Sequence, residues 1–239
     1  MSVKTREELV GKRFTSVKSD NKLKLSKVSE WEWRSGFVRA VSTRDTSSAD
    51  FTVLVEFDDT GWKSREYLKV HEVFQEFLVE HTLSWVEREE PNYKPHDGPW
   101  PALCYRAIVD KVGLFEHSKR PVEFLSDRFL AVVEQKDITH YKDGDENSVS
   151  TAKECPDVVK WLKTWSDYQD GQKILLTTPT VLLGYRVEVY RTEGTTQWYT
   201  AVIKSYNHHN KSLTLTDDTV LEEHNEDPTL IQMHLIGDG

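Results

Sequence analysis

The chain has 239 residues, 31 Lys or Arg against 40 Asp or Glu, a net charge of −9 and 11% aromatic residues. No apolar run approaches the roughly 20 residues needed to cross a bilayer, and the acidic balance excludes a protein that coats nucleic acid over its whole surface. Two cysteines are too few for a disulfide framework, and MSVKTREELVGKRF lacks the apolar segment of a secretory signal, so a reducing compartment is expected.

Charge is uneven along the chain. Up to Arg44 there are eleven Lys or Arg against five Asp or Glu, a local +6 within a total of −9, leaving −15 on the remainder. Apolar alternation marks three regions. The first, from about Leu9 to Leu78, predicts strands GKRFTSV (11–17), SGFVRAVS (35–42), FTVLVEF (51–57) and REYLKV (65–70), with turn residues between them. The second, from about His81 to Ile174, predicts TLSWVER (82–88), PALCYRAIV (101–109), RPVEFL (120–125) and FLAVVE (129–134). After the polar stretch 142–153, Pro156 and Asp157 suit a helix start. Val158, Leu162 and Trp165 recur at helical spacing, with Gly171 as the stop. The third, from about Leu182 to Ile236, predicts YRVEVYR (185–191), WYTAVIKSY (198–206), KSLTLT (211–216) and TVLEEH (219–224). Short strands in segments of this size predict small barrels.

An internal repeat links the outer regions. Gly11-x-Arg13-Phe14, Trp33, Val38 to Val41 and Asp58-Asp59 are answered by Gly184-x-Arg186-Val187, Trp198, Ala201 to Ile203 and Asp217-Asp218.

The motifs of enzyme chemistry are missing: there is no phosphate loop, no Gly-x-Ser-x-Gly turn and no CxxC pair. His224-Asn225-Glu226 has the spacing of two iron ligands, but too little chain follows to build an oxygenase around it. No catalytic residue, metal or cofactor is expected in this chain. Aromatic clusters are the stronger signal. A methylated ammonium keeps its charge but loses hydrogen-bond donors, and aromatic faces hold it by cation–π attraction beside a carboxylate. In the first region Trp31, Trp33, Phe57 and Trp62 flank Asp58 and Asp59, either as such a cage or as barrel filling and rim.

The third region resembles a Tudor domain through Gln197 to Ile203, which places Tyr199 on a cage position and Tyr190 near another. Thr216 and Thr219 stand where Tudor readers carry aromatics, which favours a scaffold role there. The middle region resembles a PWWP domain through Ser84-Trp85-Val86, Trp100-Pro101-Ala102-Leu103 and Val122 to Asp127, with the helix as its tail. That resemblance gives Trp100 and Phe124 two cage positions; the third falls at Asp97, with Tyr93 nearby. Taken in order, Glu8 to Phe14, Val38 to Ser42, Val55 to Asp59, Trp100 to Leu103, Val122 to Leu125, Gly184 to Val187 and Thr196 to Trp198 resemble the N-terminal region of the jumonji-type lysine demethylase 3 family.

The resemblance implies a mainly β chain of three small SH3-like barrels: Tudor-like (1–78), PWWP-like with a C-terminal helix (79–178) and Tudor-like (179–239). It also implies a nuclear, non-catalytic chromatin-targeting module of a histone demethylase and transcriptional coregulator, whose iron- and 2-oxoglutarate-dependent domain lies elsewhere. The expected partners are a histone tail or other methylated protein, other chromatin proteins or the rest of the enzyme, and no membrane. A protein-interaction scaffold without methyl-lysine recognition is the other reading. Weak DNA or RNA contact is a third, through Lys12, Arg13, Lys18, Lys22, Lys24 and Lys27.

Overall fold

The alternation of the first region becomes β1 (Arg13–Val17), β2 (Arg34–Val41), β3 (Thr52–Phe57) and β4 (Glu66–Lys69), an antiparallel meander in the computed structural model, which describes residues 9–18, 23–88, 99–142 and 156–238. The next strand, β5 (Glu76–Val86), runs straight through the expected boundary at residue 78. Its first half pairs with β1 (Phe14↔Val79, Val17↔Glu76) and completes the first barrel. Its second half pairs with β9 (Ile138–His140) and closes the second. The other edge of β5 carries β6 (Trp100–Asp110), followed by β7 (Lys119–Phe124) and β8 (Leu130–Glu134). The first two barrels thus share a strand within one sheet ordered β4-β3-β2-β1-β5-β6-β7-β8. Residues 76–80 do not alternate because β5 is buried on both faces where it lies between β1 and β6.

The third barrel comprises β10 (Tyr185–Tyr190), β11 (Trp198–Asn207), β12 (Ser212–Asp217), β13 (Glu223–Glu226) and β14 (Met233–Asp238), ordered β13-β12-β11-β10-β14. The expected strand TVLEEH is displaced. Asp217 accepts hydrogen bonds from the Thr219 and Val220 N–H groups, so these residues turn, Val220 and Leu221 are exposed, and pairing resumes at Glu223. Strand β14 had no counterpart in the sequence reading.

The repeat has a structural meaning. Gly11 and Gly184 both take positive φ, and their N–H groups donate to Val38 and Ile203, each immediately before a bulge in the second strand of its barrel. Arg13 and Arg186, two residues on, pair with Asp58 and Asp218. Gly-x-Arg with a distant Asp pair is therefore an ion pair from the first strand of each barrel to the end of its third.

Helix α1 (Pro156–Thr177) runs through Gly171 instead of stopping there. Trp161, Leu162 and Trp165 pack on the middle barrel, while Leu175 is buried in the third-barrel core. Between them the Tyr168 hydroxyl donates to the Gly11 carbonyl at 3.2 Å, and Gln172 donates to Met233 O at 2.8 Å. This packing outweighs the cost of about 1 kcal/mol for glycine inside a helix. A Cβ on Gly171 would meet nothing within 4 Å. Gly171→Ala is therefore expected to raise stability by about 0.5–1 kcal/mol in chemical denaturation; a loss would mean that the helix breaks there. Among the described residues no helix is long and apolar enough to cross a membrane.

Candidate functional site

The first and middle barrels meet over a buried ion cluster. Arg13, 5% exposed, donates to both carboxylate oxygens of Asp58 at 2.8 Å and to Glu123 at 3.2 and 3.0 Å. Glu123 is fully buried on β7 and also accepts from the Tyr105 hydroxyl at 2.7 Å and from Arg128 at 3.1 Å. Burial alone would weaken the Arg13 charge, but the Asp58 and Glu123 bonds outweigh it and hold the guanidinium more firmly protonated than usual. Burial and the neighbouring Glu123 charge keep the Tyr105 phenol protonated.

A second junction joins the first and third barrels. The bulge in β2 aims Arg39 at Glu56 (3.1 Å) and Gln232 (2.7 Å). Glu56 accepts in turn from the Tyr190 hydroxyl at 2.9 Å and the Gln197 amide at 3.0 Å. Ala40 and Leu54 of the first barrel lie in the same apolar cluster as Val187, Ile203 and Met233 of the third. With α1 touching all three barrels, the described residues make a single body.

The predicted cage of the first barrel is dispersed. Trp31 and Trp33 stack at 5.6 Å and 29°, their indole N–H groups donating to the carbonyls of Lys24 and Val28. Trp31 is buried with Val17, Leu78, Tyr105 and Leu114 between the first two barrels. Phe57, 2% exposed, belongs to a different cluster and meets Phe14 edge-on. Its outward face is covered by the Arg34 guanidinium at 3.8 Å, which is held by Asp59 at 2.9 and 2.6 Å. Trp62 lies beneath Arg65, 5.3 Å from the ring centroid, and Arg65 also donates to Gly194 O of the third barrel. Asp58 and Asp59 are thus each committed to an arginine of this chain.

The middle barrel repeats the pattern. Trp100 is 8% exposed and lies 5.6 Å from Trp161 of α1. Phe124 is 1% exposed, and Arg88 sits 4.8 Å over its ring and 5.1 Å over that of Phe129. Asp127 binds Arg88 with both oxygens, at 3.1 and 2.7 Å. Burial pushes the Asp127 carboxyl up, but the bonds from Arg88 and the Phe129 N–H outweigh this and hold it below the usual range. In the third barrel Arg191 lies 4.7 Å over Tyr199, whose hydroxyl donates to Glu226, and Tyr190 is fully buried. Arg34, Arg88 and Arg191 were not singled out from the sequence, since nothing in the sequence around an arginine shows which ring it will cover. Asp97 and Tyr93 lie outside the described residues.

The candidate phosphate-binding cations among the described residues differ in their surroundings. Arg13 is buried in its ion cluster, and Lys12 is held by Gln169 (3.1 Å) and Glu80 (3.6 Å). Lys18 pairs with Glu66 and Lys27 with Glu30; Lys24 is exposed, and Lys22 lies outside the described residues. Phosphate contact through Arg13 is excluded by its burial between two carboxylates.

Two of the clefts bordered by described residues lie beside the candidate aromatics. One, of about 460 Å³, lies beside Trp198, Tyr199, Arg191 and His224. The larger, about 660 Å³, lies between Ser29 and Trp33 of the first barrel and Phe129, strand β8 and Asp137 of the middle barrel, with Glu87 on its wall. Trp33 and Phe124, assigned to separate cages from the sequence, both line this shared cleft.

Comparison with known proteins matches three consecutive family models: a domain of unknown function (DUF7030) over residues 8–67, the PWWP domain of lysine-specific demethylase 3B over 77–172, and its tudor domain over 174–239. The chain is similar to the probable JmjC domain-containing histone demethylation protein 2C of Homo sapiens, 36% identical across 100% of this chain and 10% of that protein. It is also similar to lysine-specific demethylase 3A of Mus musculus, 30% identical across 96% of this chain and 18% of that protein. The chain therefore spans less than a fifth of the length of these relatives.

Proposed function

The chain belongs to the lysine-specific demethylase 3 family, and we propose that it serves there as a rigid chromatin-targeting platform. In this reading it acts in the nucleus, outside the catalytic domain, and positions a histone lysine demethylase through protein contacts instead of through an aromatic methyl-lysine cage. One observation carries the proposal: the ring faces of Phe57, Phe124 and Tyr199 are already covered by Arg34, Arg88 and Arg191. The chain's own cations make the contact a methylated ammonium would make, and Arg34 and Arg88 are each anchored by a carboxylate. The competing reading, methyl-lysine recognition, is favoured by the family match and by Trp33 and Phe129 at the mouth of the larger cleft.

The two readings separate in a matched titration. Histone-tail peptides differing only in lysine methylation are expected to bind within about twofold of one another, and the chain expressed alone in nuclei is expected to be retained on chromatin in photobleaching recovery. A preference of about tenfold or more for a methylated peptide, some 1.4 kcal/mol, replaces the platform by a reader. Free diffusion with no peptide binding overturns both.

A further inference from the structure

Among the described residues strand β8 is an end strand of the nine-stranded sheet: its ladder runs to β7, its residues line the larger cleft, and the short turn Leu25–Glu30 packs against part of it. Edge strands offer unpaired N–H and C=O groups, and proteins guard them with charges, proline or bulges. Strand β4, at the opposite end of the sheet, reads Glu-Tyr-Leu-Lys, and β13, an end strand of the third barrel, reads Glu-His-Asn-Glu. By contrast β8 reads Leu-Ala-Val-Val-Glu, with neither lysine nor proline, and it pairs with β7 in continuous register. Ala131 and Val133 turn inward to the middle-barrel core, while Leu130 packs toward Trp33 and its neighbours. The larger cleft beside β8 is walled in part by Ser29 and Trp33.

The charge of the cleft selects its occupant. Glu87 and Asp137, both exposed, and Glu134 line it, against Lys119 and Arg88. Lys119 is paired with Glu134, and Arg88 is held by Asp127. That leaves the carboxylates of Glu87 and Asp137 at the walls and apolar surface from Leu130, Val132 and Phe129 along the floor. We infer that this cleft binds an extended basic peptide, which adds to β8 as a further antiparallel or parallel strand and places its Lys or Arg side chains against Glu87 and Asp137. The backbone supplies affinity and the carboxylates supply charge preference, as in other strand-addition sites. Methylation of the peptide is not required, because Arg88 fills the space over Phe124 and Phe129. The inference rests on the platform reading and names the site and the chemistry of its partner.

The test uses the full chain and a short synthetic peptide alternating Lys with Thr and Val. Three comparison peptides accompany it: one with Glu for Lys, and two N-methylated on alternate backbone amides in one register or the other. Binding is expected for the parent peptide and absent for the Glu version, and it should weaken steeply with salt. N-methylation should cost about tenfold or more in one register only, since only alternate amides of an added strand face β8. Amide exchange should slow across Leu130–Glu134. The exposed double variant Glu87→Lys/Asp137→Lys should lose about tenfold in affinity with unchanged thermal stability.

Tolerance of N-methylation in both registers, protection elsewhere, or no binding of the parent peptide overturns the site. So does slowed exchange at β8 caused by dimerisation of the chain alone. If chromatin retention persists in those cases, the platform reading survives without this site. If retention also fails, the platform falls with it.

Discussion

Gly36→Ala is expected to prevent the chain from folding. Gly36 lies in β2, opposite Phe14 of β1 and Phe57 of β3. A Cβ at this position would stand 2.1 Å from the Glu56 carbonyl oxygen and 2.9 Å from the Phe57 Cα. These are backbone atoms, so no rotamer change relieves the clash, and β2 must part from β3. Glu56 anchors the junction with the third barrel, and the Phe57 ring fills the first core, so local separation spreads to both. A loss above about 4 kcal/mol is expected, in the range reserved for backbone and core disruption. Soluble yield and melting temperature report it directly. A near-normal melting temperature would show that β2 and β3 do not approach as described.

Arg13→Leu is expected to cost about 3–5 kcal/mol, the range for breaking a buried ion pair on one side. Glu123, fully buried, keeps only the Tyr105 hydroxyl and the half-exposed Arg128, while Asp58 is free to turn to water. Because the uncompensated Glu123 charge causes most of the loss, adding Glu123→Gln to Arg13→Leu should recover about half of it. Chemical denaturation of the three proteins tests this. A loss under about 1 kcal/mol for Arg13→Leu would place the pair at the surface and remove the main polar tie between the first two barrels.

Strands β10 and β12 were legible because buried and less buried positions alternate along them, and period-two alternation records that directly. The paired Gly-x-Arg and Asp-Asp signals were legible too, although only the structure shows that they meet, as Arg13–Asp58 and Arg186–Asp218. Alternation fails where burial is two-sided, which hid the first half of β5 and with it the fusion of two barrels. It also misleads where apolar residues are exposed, as at Val220 and Leu221. Gly171 misread as a helix stop is the same kind of error, since the packing of Leu175 beyond it is not a local signal. For the candidate site, the sequence reading marked Trp31, Trp33, Phe57, Trp100 and Phe124, and all of these are placed at barrel junctions or in cores. Their covering was illegible. Arg88 reaches Phe124 from just beyond the end of β5, and Trp161 reaches Trp100 from the helix.

Occupancy of the ring faces is most directly read from the arginine Nε–H signals by nuclear magnetic resonance. The Nε–H protons of Arg34 and Arg88 should exchange slowly, because each guanidinium is fixed by a carboxylate, and should be shifted upfield by the rings of Phe57 and Phe124. They are expected to stay in place when trimethyl-lysine peptide is added to saturation. Ordinary solvent-like signals, or signals that move from their ring-shifted positions as the methylated peptide binds, would show that the faces are open and that the chain reads methyl-lysine.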